Sequence, residues 1–306
     1  MPPALPVVAL EPTLTHATAA SASQPAHSGA QLCLNCDHPV PDRFCGHCGQ
    51  DAHHTHRLTL ADMPHDVLHS IWHVDKGILY TLKTMMLRPG PTIRSYLAGK
   101  RVDHFRPLSL LFLITGVYAL LCSVLHIQFL PPRDPAMPEA VWQMQQTSTN
   151  FFMKYLSWCY VAMVPVWALF ARWFLRRGGY NYAECLIIAA FITAIINFFA
   201  LLYLPVLYMY GGTPQIGTVS LLFMLPVVTY ATWAYSSLLA HTALGLARRL
   251  WCGFMAYMLG YVVCILVIVI TTYALNWSTF KEAMKQQTEQ QRQQARATKP
   301  TAALPR

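Results

Sequence analysis

Apolar positions are sparse over the first third of the chain and crowd the remainder. After Pro107 they form runs long enough to cross roughly 30 Å of hydrocarbon at about 1.5 Å per helical residue. The runs cover about 107–127, 155–175, 184–207, 217–241 and 251–275. Pro165, Pro205 and Pro226 fall in or near them, where packed neighbours tolerate a kink. The pattern upstream has a different period. From Leu58 to about Leu87, Leu60, Met63, Val67, Ile71, Val74, Ile78 and Leu82 recur at steps of three and four, which predicts an amphipathic helix. Pro89-Gly90-Pro91 breaks it, and a short helix over about 92–98 leads into Gly99-Lys100-Arg101. Residues 1–30, rich in Ala, Pro, Ser and Thr without a period, read as a disordered leader, and 278–306 as a polar tail. The pattern therefore predicts an all-α membrane protein with about five transmembrane helices within 107–277. Before them come an N-terminal four-cysteine segment at 31–57 and interfacial amphipathic helices with a basic collar at 58–106.

Composition agrees. Hydrophobic residues make up 55% of the 306 positions and charged residues 11%, about half the charged share of a soluble domain. The formal charge of +9 sits at the ends of the apolar runs, which suits anionic headgroups better than a nucleic-acid groove. Arg88, Arg94, Lys100, Arg101 and Arg106 precede the first run, Arg172, Arg176 and Arg177 follow the second, and Arg248 and Arg249 follow the fourth. Loops on the other side hold only Arg133 and Lys154. That asymmetry predicts a cytoplasmic N-terminus. With five crossings the tail and its Lys281, Lys285 and Arg292 end outside, against the trend, whereas four or six would bring them in. The N-terminus shows no basic stretch followed by an apolar core, so no cleaved signal is expected.

Cysteine placement brings in chemistry. Of nine cysteines, Cys122, Cys159, Cys185, Cys252 and Cys264 lie in apolar runs and read as small buried hydrophobes. Cys33, Cys36, Cys45 and Cys48 form two C-x-x-C pairs, each able to bend into a knuckle, and two knuckles complete a tetrahedral four-thiolate site. This predicts a structural zinc ribbon, with Gly46 and Gly49 supplying backbone freedom and His47 a bystander. A cytoplasmic setting keeps such thiols reduced. The ribbon sets Arg43 and Arg57 against Asp37, Asp42 and Asp51, so it lacks a basic face for nucleic acid. Its expected contact is a protein partner or its own membrane domain.

Other polar groups carry less specific signals. His65, His69 and His73 fall at i, i+4 and i+8 of the amphipathic helix, near Asp62 and Asp66. They read either as a wet polar face or as a second metal or proton-sensing site. No Glu stands where a His-Glu-x-x-His hydrolase needs its base. The residues Arg88, Arg94, Lys100, Arg101 and Arg106 form a collar for lipid headgroups, each worth about 1 kcal/mol near an anionic surface. Glu184 sits near a membrane end, within reach of Arg176 or Arg177, and Asn197 is the deepest polar side chain of the runs. Both read as packing and hydrogen-bonding groups rather than an ion route.

The order of these features resembles a bacterial membrane-protein family known as domain of unknown function 3667. A cysteine ribbon is followed by a His-bearing helix with Asp75-Lys76-Gly77, then Thr81-Leu82-Lys83, Arg88-Pro89-Gly90, Tyr96-Leu97-Ala98-Gly99-Lys100-Arg101 and Phe105-Arg106-Pro107. The likeness is good over about 31–130 and weaker at Asn181-Tyr182-Ala183-Glu184, where the family tends to have a His next and this chain has Cys185. The resemblance implies an inner-membrane location and supports the ribbon; it implies no activity. The expected function is that of a non-enzymatic scaffold or docking protein. The alternatives are a transporter or channel for a small solute, and a membrane enzyme using the His65/His69/His73 row.

Overall fold

The computed structural model describes residues 31–52, 77–278, 280–282, 284, 285, 288, 289 and 292. The histidine row and the first part of the amphipathic helix lie outside these residues. A two-stranded antiparallel ribbon comes first, β1 (Gln31–Leu32) with β2 (Pro39–Val40). The helices follow as α1 (Gly77–Leu87), α2 (Pro89–Leu97), α3 (Pro107–Val124), α4 (Glu139–Lys154), α5 (Leu156–Phe174), α6 (Tyr182–Tyr210), α7 (Ile216–Leu238) and α8 (Leu246–Leu275).

Among the described residues, five helices are long and apolar enough to cross a membrane: α3, α5, α6, α7 and α8. Their outer faces expose what water would not tolerate in so dense a patch, including Leu120, Trp158, Leu169, Leu202, Leu221, Leu225 and Ile270. Aromatic side chains mark both ends, with Trp173 and Trp251 exposed toward the ribbon end and Tyr208, Tyr210 and Trp277 at the other, as interfacial belts do. The protein is an integral membrane protein of all-α class.

Helix α6 is the centre. From Ala183 to Ile195 nearly every side chain is buried, the signature of a helix apolar all round and enclosed by neighbours. It packs on α3, α5 and α7, while α8 closes the bundle against α5 and α7. The buried stripe of α8 is Gly253, Ala256, Tyr257, Gly260 and Cys264, whose small members let backbones approach. At Gly260 a Cβ would fall 2.4 Å from Trp167 Cδ1.

Three local readings differ from the sequence pattern. Pro89-Gly90-Pro91 ends α1, but it also opens α2, with Pro89 as its first residue. Proline fits there because the first helical N–H groups have no intrahelical acceptor. Moreover, α1 and α2 do more than lie in the interface. Thr81, Met85 and Ile93 are fully buried, and Met85 and Ile93 join the same core as α6 and α7. The pattern also gave no element between 127 and 155, where α4 stands. Glu139 in its first turn and Lys154 in its last complement the helix dipole.

Candidate metal centre and its seat on the membrane domain

The two cysteine knuckles repeat each other bond for bond. Cys33 N–H donates to His38 O (2.8 Å) and Cys45 N–H to Gln50 O (2.9 Å). Asp37 N–H returns to Cys33 O (2.9 Å), as Gly49 N–H does to Cys45 O (2.8 Å). The returning residue must turn left-handed in both, and Asp37 (φ 60°) and Gly49 (φ 76°) do. Gly49 has the freedom its position needs, and Asp is among the few side chains that tolerate this region. Gly46 does not adopt positive φ, so the second turn gains its freedom from Gly49 alone.

These turns bring four sulfurs together within 4.8 Å of one another. Cys33 Sγ lies 3.5 Å from Cys48 Sγ, and Cys36 Sγ 3.5 Å from Cys45 Sγ. Disulfide bonds, at about 2.05 Å, are excluded. A tetrahedral ion at about 2.3 Å from each sulfur would space the sulfurs roughly 3.8 Å apart, so the donor set fits a single metal ion. The thiols differ in how readily they ionise. Backbone N–H groups of Cys48 and His47 hold the Cys45 thiol down at about 6. For Cys36 the N–H of His38 pulls downward, but desolvation and the neighbouring thiols outweigh it and carry the group up to about 12. His47 stacks on His38 (3.9 Å, 6° between planes), outside the four-sulfur set.

The ribbon is attached to the membrane domain. Gln50, only 5% exposed, donates through Nε2 to Gly99 O at 2.8 Å, and its Oε1 faces the Arg101 N–H at 3.5 Å. Gly99 lies in the turn that ends α2 and takes φ 103°. Helix α2 is itself seated on α7. Arg94 donates to Ser237 O (2.6 Å), which also accepts from Ala240 N–H (3.3 Å), and Tyr180 Oη donates to Leu238 O (3.0 Å), so side chains serve the last carbonyls of α7. A line of contacts therefore runs from the thiols through Gln50 and α2 into the bundle.

The remaining predicted residues separate. Arg88, Lys100 and Arg106 are exposed beside this seat, whereas Arg101 reaches over the Tyr96 ring (5.7 Å) and Arg94 serves α7. Glu184 accepts from Asn181 N–H (2.7 Å) and Asn181 Oδ1 from Glu184 N–H (2.7 Å), a capping box that starts α6. Asn197, 1% exposed, donates to Thr193 O (2.9 Å) and lies within hydrogen-bonding reach of Tyr160 on α5. Glu184 and Asn197 both serve helix ends and helix packing.

His104 escaped the sequence reading. It sits between the rings of Tyr80 (5.3 Å) and Tyr96 (6.1 Å), and its Nδ1 is buried without a hydrogen-bond partner among the described residues. Burial lowers its proton affinity below the ordinary 6.5, against an opposing pull from Asp103. The folded state binds this proton less readily than the unfolded one, so stability falls as pH drops below about 6.5. Phe105 N–H, which donates to Thr81 Oγ1 at 2.8 Å, reports on the site. Its hydrogen exchange, corrected for intrinsic rate, should accelerate between pH 7 and 5.5 in the native chain and stay flat in His104→Gln. Parallel profiles would contradict the assignment.

Fold and site together define a multi-span membrane protein with a four-cysteine cluster, able to hold a metal ion, at one end of its bundle. Residues 75–119 match the family model described as Protein of unknown function (DUF3667). That segment includes α1, α2, the Gly99–Arg101 turn and the first part of α3, the part of the chain that seats the ribbon. No curated protein and no solved structure matches the chain.

Proposed function

We propose that this is a non-enzymatic bacterial inner-membrane protein whose cytoplasmic ribbon carries one structural zinc ion and docks a protein partner from a fixed seat on its own membrane domain. The observation that carries the reading is Gln50, whose buried amide joins the ribbon to Gly99. Free ribbons have no reason to bury a glutamine against a distant turn. Zinc is the ion that four thiolates in tetrahedral array suit best in a reducing compartment. The basic residues that flank the spans at the ribbon end, set against Arg133 and Lys154 in the loops at the other, support the cytoplasmic placement, while Lys281, Lys285 and Arg292 of the tail count against it. Leu32, Leu34 and Phe44 stand exposed on the ribbon, with the Arg43 guanidinium over the Phe44 ring, and supply the apolar anchors a protein partner would bury.

Gln50→Ala in the full-length chain tests this. Losing the amide leaves the Gly99 carbonyl unpaired, at a cost of roughly 1–3 kcal/mol. Metal content should stay at its native level, ribbon amides should exchange about tenfold faster or more, and affinity capture from native membranes should lose partners the native chain retains. Native exchange rates together with an identical partner set would remove the basis for the proposal.

A further inference from the structure

The end of the bundle opposite the ribbon holds a cavity of about 780 Å³, within the size range of small-molecule sites. One wall is α4. Trp142, Gln146, Asn150 and Lys154 stand at steps of four along it and all line the cavity, so this helix turns its polar stripe toward the hollow. The facing wall is the connection after α3, from which Gln128 contributes. Gln128 is held by the turn between α6 and α7, whose Gly212 N–H donates to Gln128 O at 3.1 Å. A Cβ at Gly212 would meet Gln128 Oε1 at 2.5 Å, which the glutamine side chain could yield, but the glycine takes φ 70°, a conformation that strains other side chains.

The lining is selective in charge. It contains Lys154, His126 and three carboxamides, and no acidic side chain among the described residues. Nearby acids are engaged elsewhere: Glu139 pairs with Arg133 and accepts from Gln143 (3.0 Å), and Asp134 accepts from Ala136 N–H (2.8 Å). A cation would find no counter-charge, whereas a group with several acceptor oxygens would find donors on both walls. The rest of the lining is apolar, with Phe129, Met153 and Leu120. Leu120 is 62% exposed on the outer face of α3, so the apolar side opens toward the hydrocarbon. A polar end rich in donors and an apolar exit to the bilayer match an amphiphile.

We infer that this cavity binds the phosphate-ester headgroup of an amphiphile, with Lys154 and the amides of Gln128, Gln146 and Asn150 on the headgroup and the chains leaving past Leu120. Native mass spectrometry of the full-length protein in detergent tests it in separate arms with dioleoylphosphatidylglycerol, inorganic phosphate and a digalactosyl glycolipid. The native chain should retain one phosphatidylglycerol, and neither of the other two. Lys154→Gln combined with Asn150→Leu should lower the bound fraction at least tenfold. Gln146→Leu, at an exposed position that leaves folding intact, should lower it several-fold, and Lys83→Gln on α1 should leave it unchanged. Equal retention by the Gln146→Leu variant, equal retention of the glycolipid, or binding of phosphate without lipid would each overturn the inference.

Discussion

Removing the proposed zinc ion from the full-length protein is expected to unfold the ribbon and leave the helical bundle intact. The ribbon's own buried core is Cys33, Val40 and Cys45, and two of those three belong to the four-sulfur set. So little apolar area cannot offset the ordering of more than twenty residues at about 1–2 kcal/mol each for the backbone. A structural zinc site contributes about 10–16 kcal/mol of apparent binding free energy in comparable peptides, so the proposed zinc ion would decide whether the ribbon folds. Cys45→Ser should cut metal content from one ion per chain to near zero, abolish exchange protection at the Cys33 and Gly49 amides, and leave helical circular dichroism within a few percent of native. Protection that survives loss of the ion would mean that the seat on Gly99, and not the metal, holds the ribbon. The same measurement addresses His65, His69 and His73, which lie outside the described residues. If they hold a second ion, the native chain carries two, and changing all three to Ala removes one.

How far the sequence disclosed this arrangement depends on how local each signal was. The spans were legible because a long apolar run has few readings besides a crossing. The knuckles were legible from spacing alone, since C-x-x-C places two thiols on one turn. The left-handed Asp37 was not, because Asp takes that conformation only where the surrounding bonds ask for it. Glu184 reads in the sequence as a packing group within reach of Arg176 or Arg177, yet Asn181-x-x-Glu184 is also a capping-box pattern, and that is how the structure uses it. Helix α4 was missed for a physical reason. Its apolar positions, Val141, Met144, Phe151 and Phe152, are interrupted by the six polar residues Gln145 to Asn150, so no continuous helical period runs through it, and Glu139 and Lys154 at its ends are weak marks. Contacts between distant segments were beyond reach altogether. Gln50 meets Gly99 and Arg94 meets Ser237, and no periodicity links them.

The second large effect belongs to Gly90. Helix α2 crosses the end of α7 so closely that a Cβ at Gly90 would lie 2.4 Å from Ser237 Oγ and 2.7 Å from the Ser237 carbonyl carbon and oxygen. The hydroxyl can rotate away, but the carbonyl cannot, because it belongs to the last turn of α7 and already accepts from Arg94. Retreat on the other side is closed as well. Gly253 of α8 presses on the same stretch of α7, with a built Cβ 2.5 Å from Thr232 O and 2.9 Å from Ser236 N. Overpacking at such a crossing costs roughly 1–3 kcal/mol, and more where backbone must move. Gly90→Ala is therefore expected to lower the thermal midpoint of the detergent-solubilised protein by several degrees, and Gly253→Ala to do the same. Gly217→Ala, with nothing within 4 Å of its Cβ, should leave the midpoint unchanged. The two damaging variants should then part company. Gly253 touches only the bundle, so its variant should keep a protected ribbon. Gly90 lifts α2, which carries the Gly99 carbonyl to Gln50, so its variant should also release the ribbon and speed exchange at the Cys33 and Gly49 amides with metal content unchanged. A Gly90→Ala protein that is destabilised but keeps native ribbon protection would show that the seat and the bundle are mechanically separate.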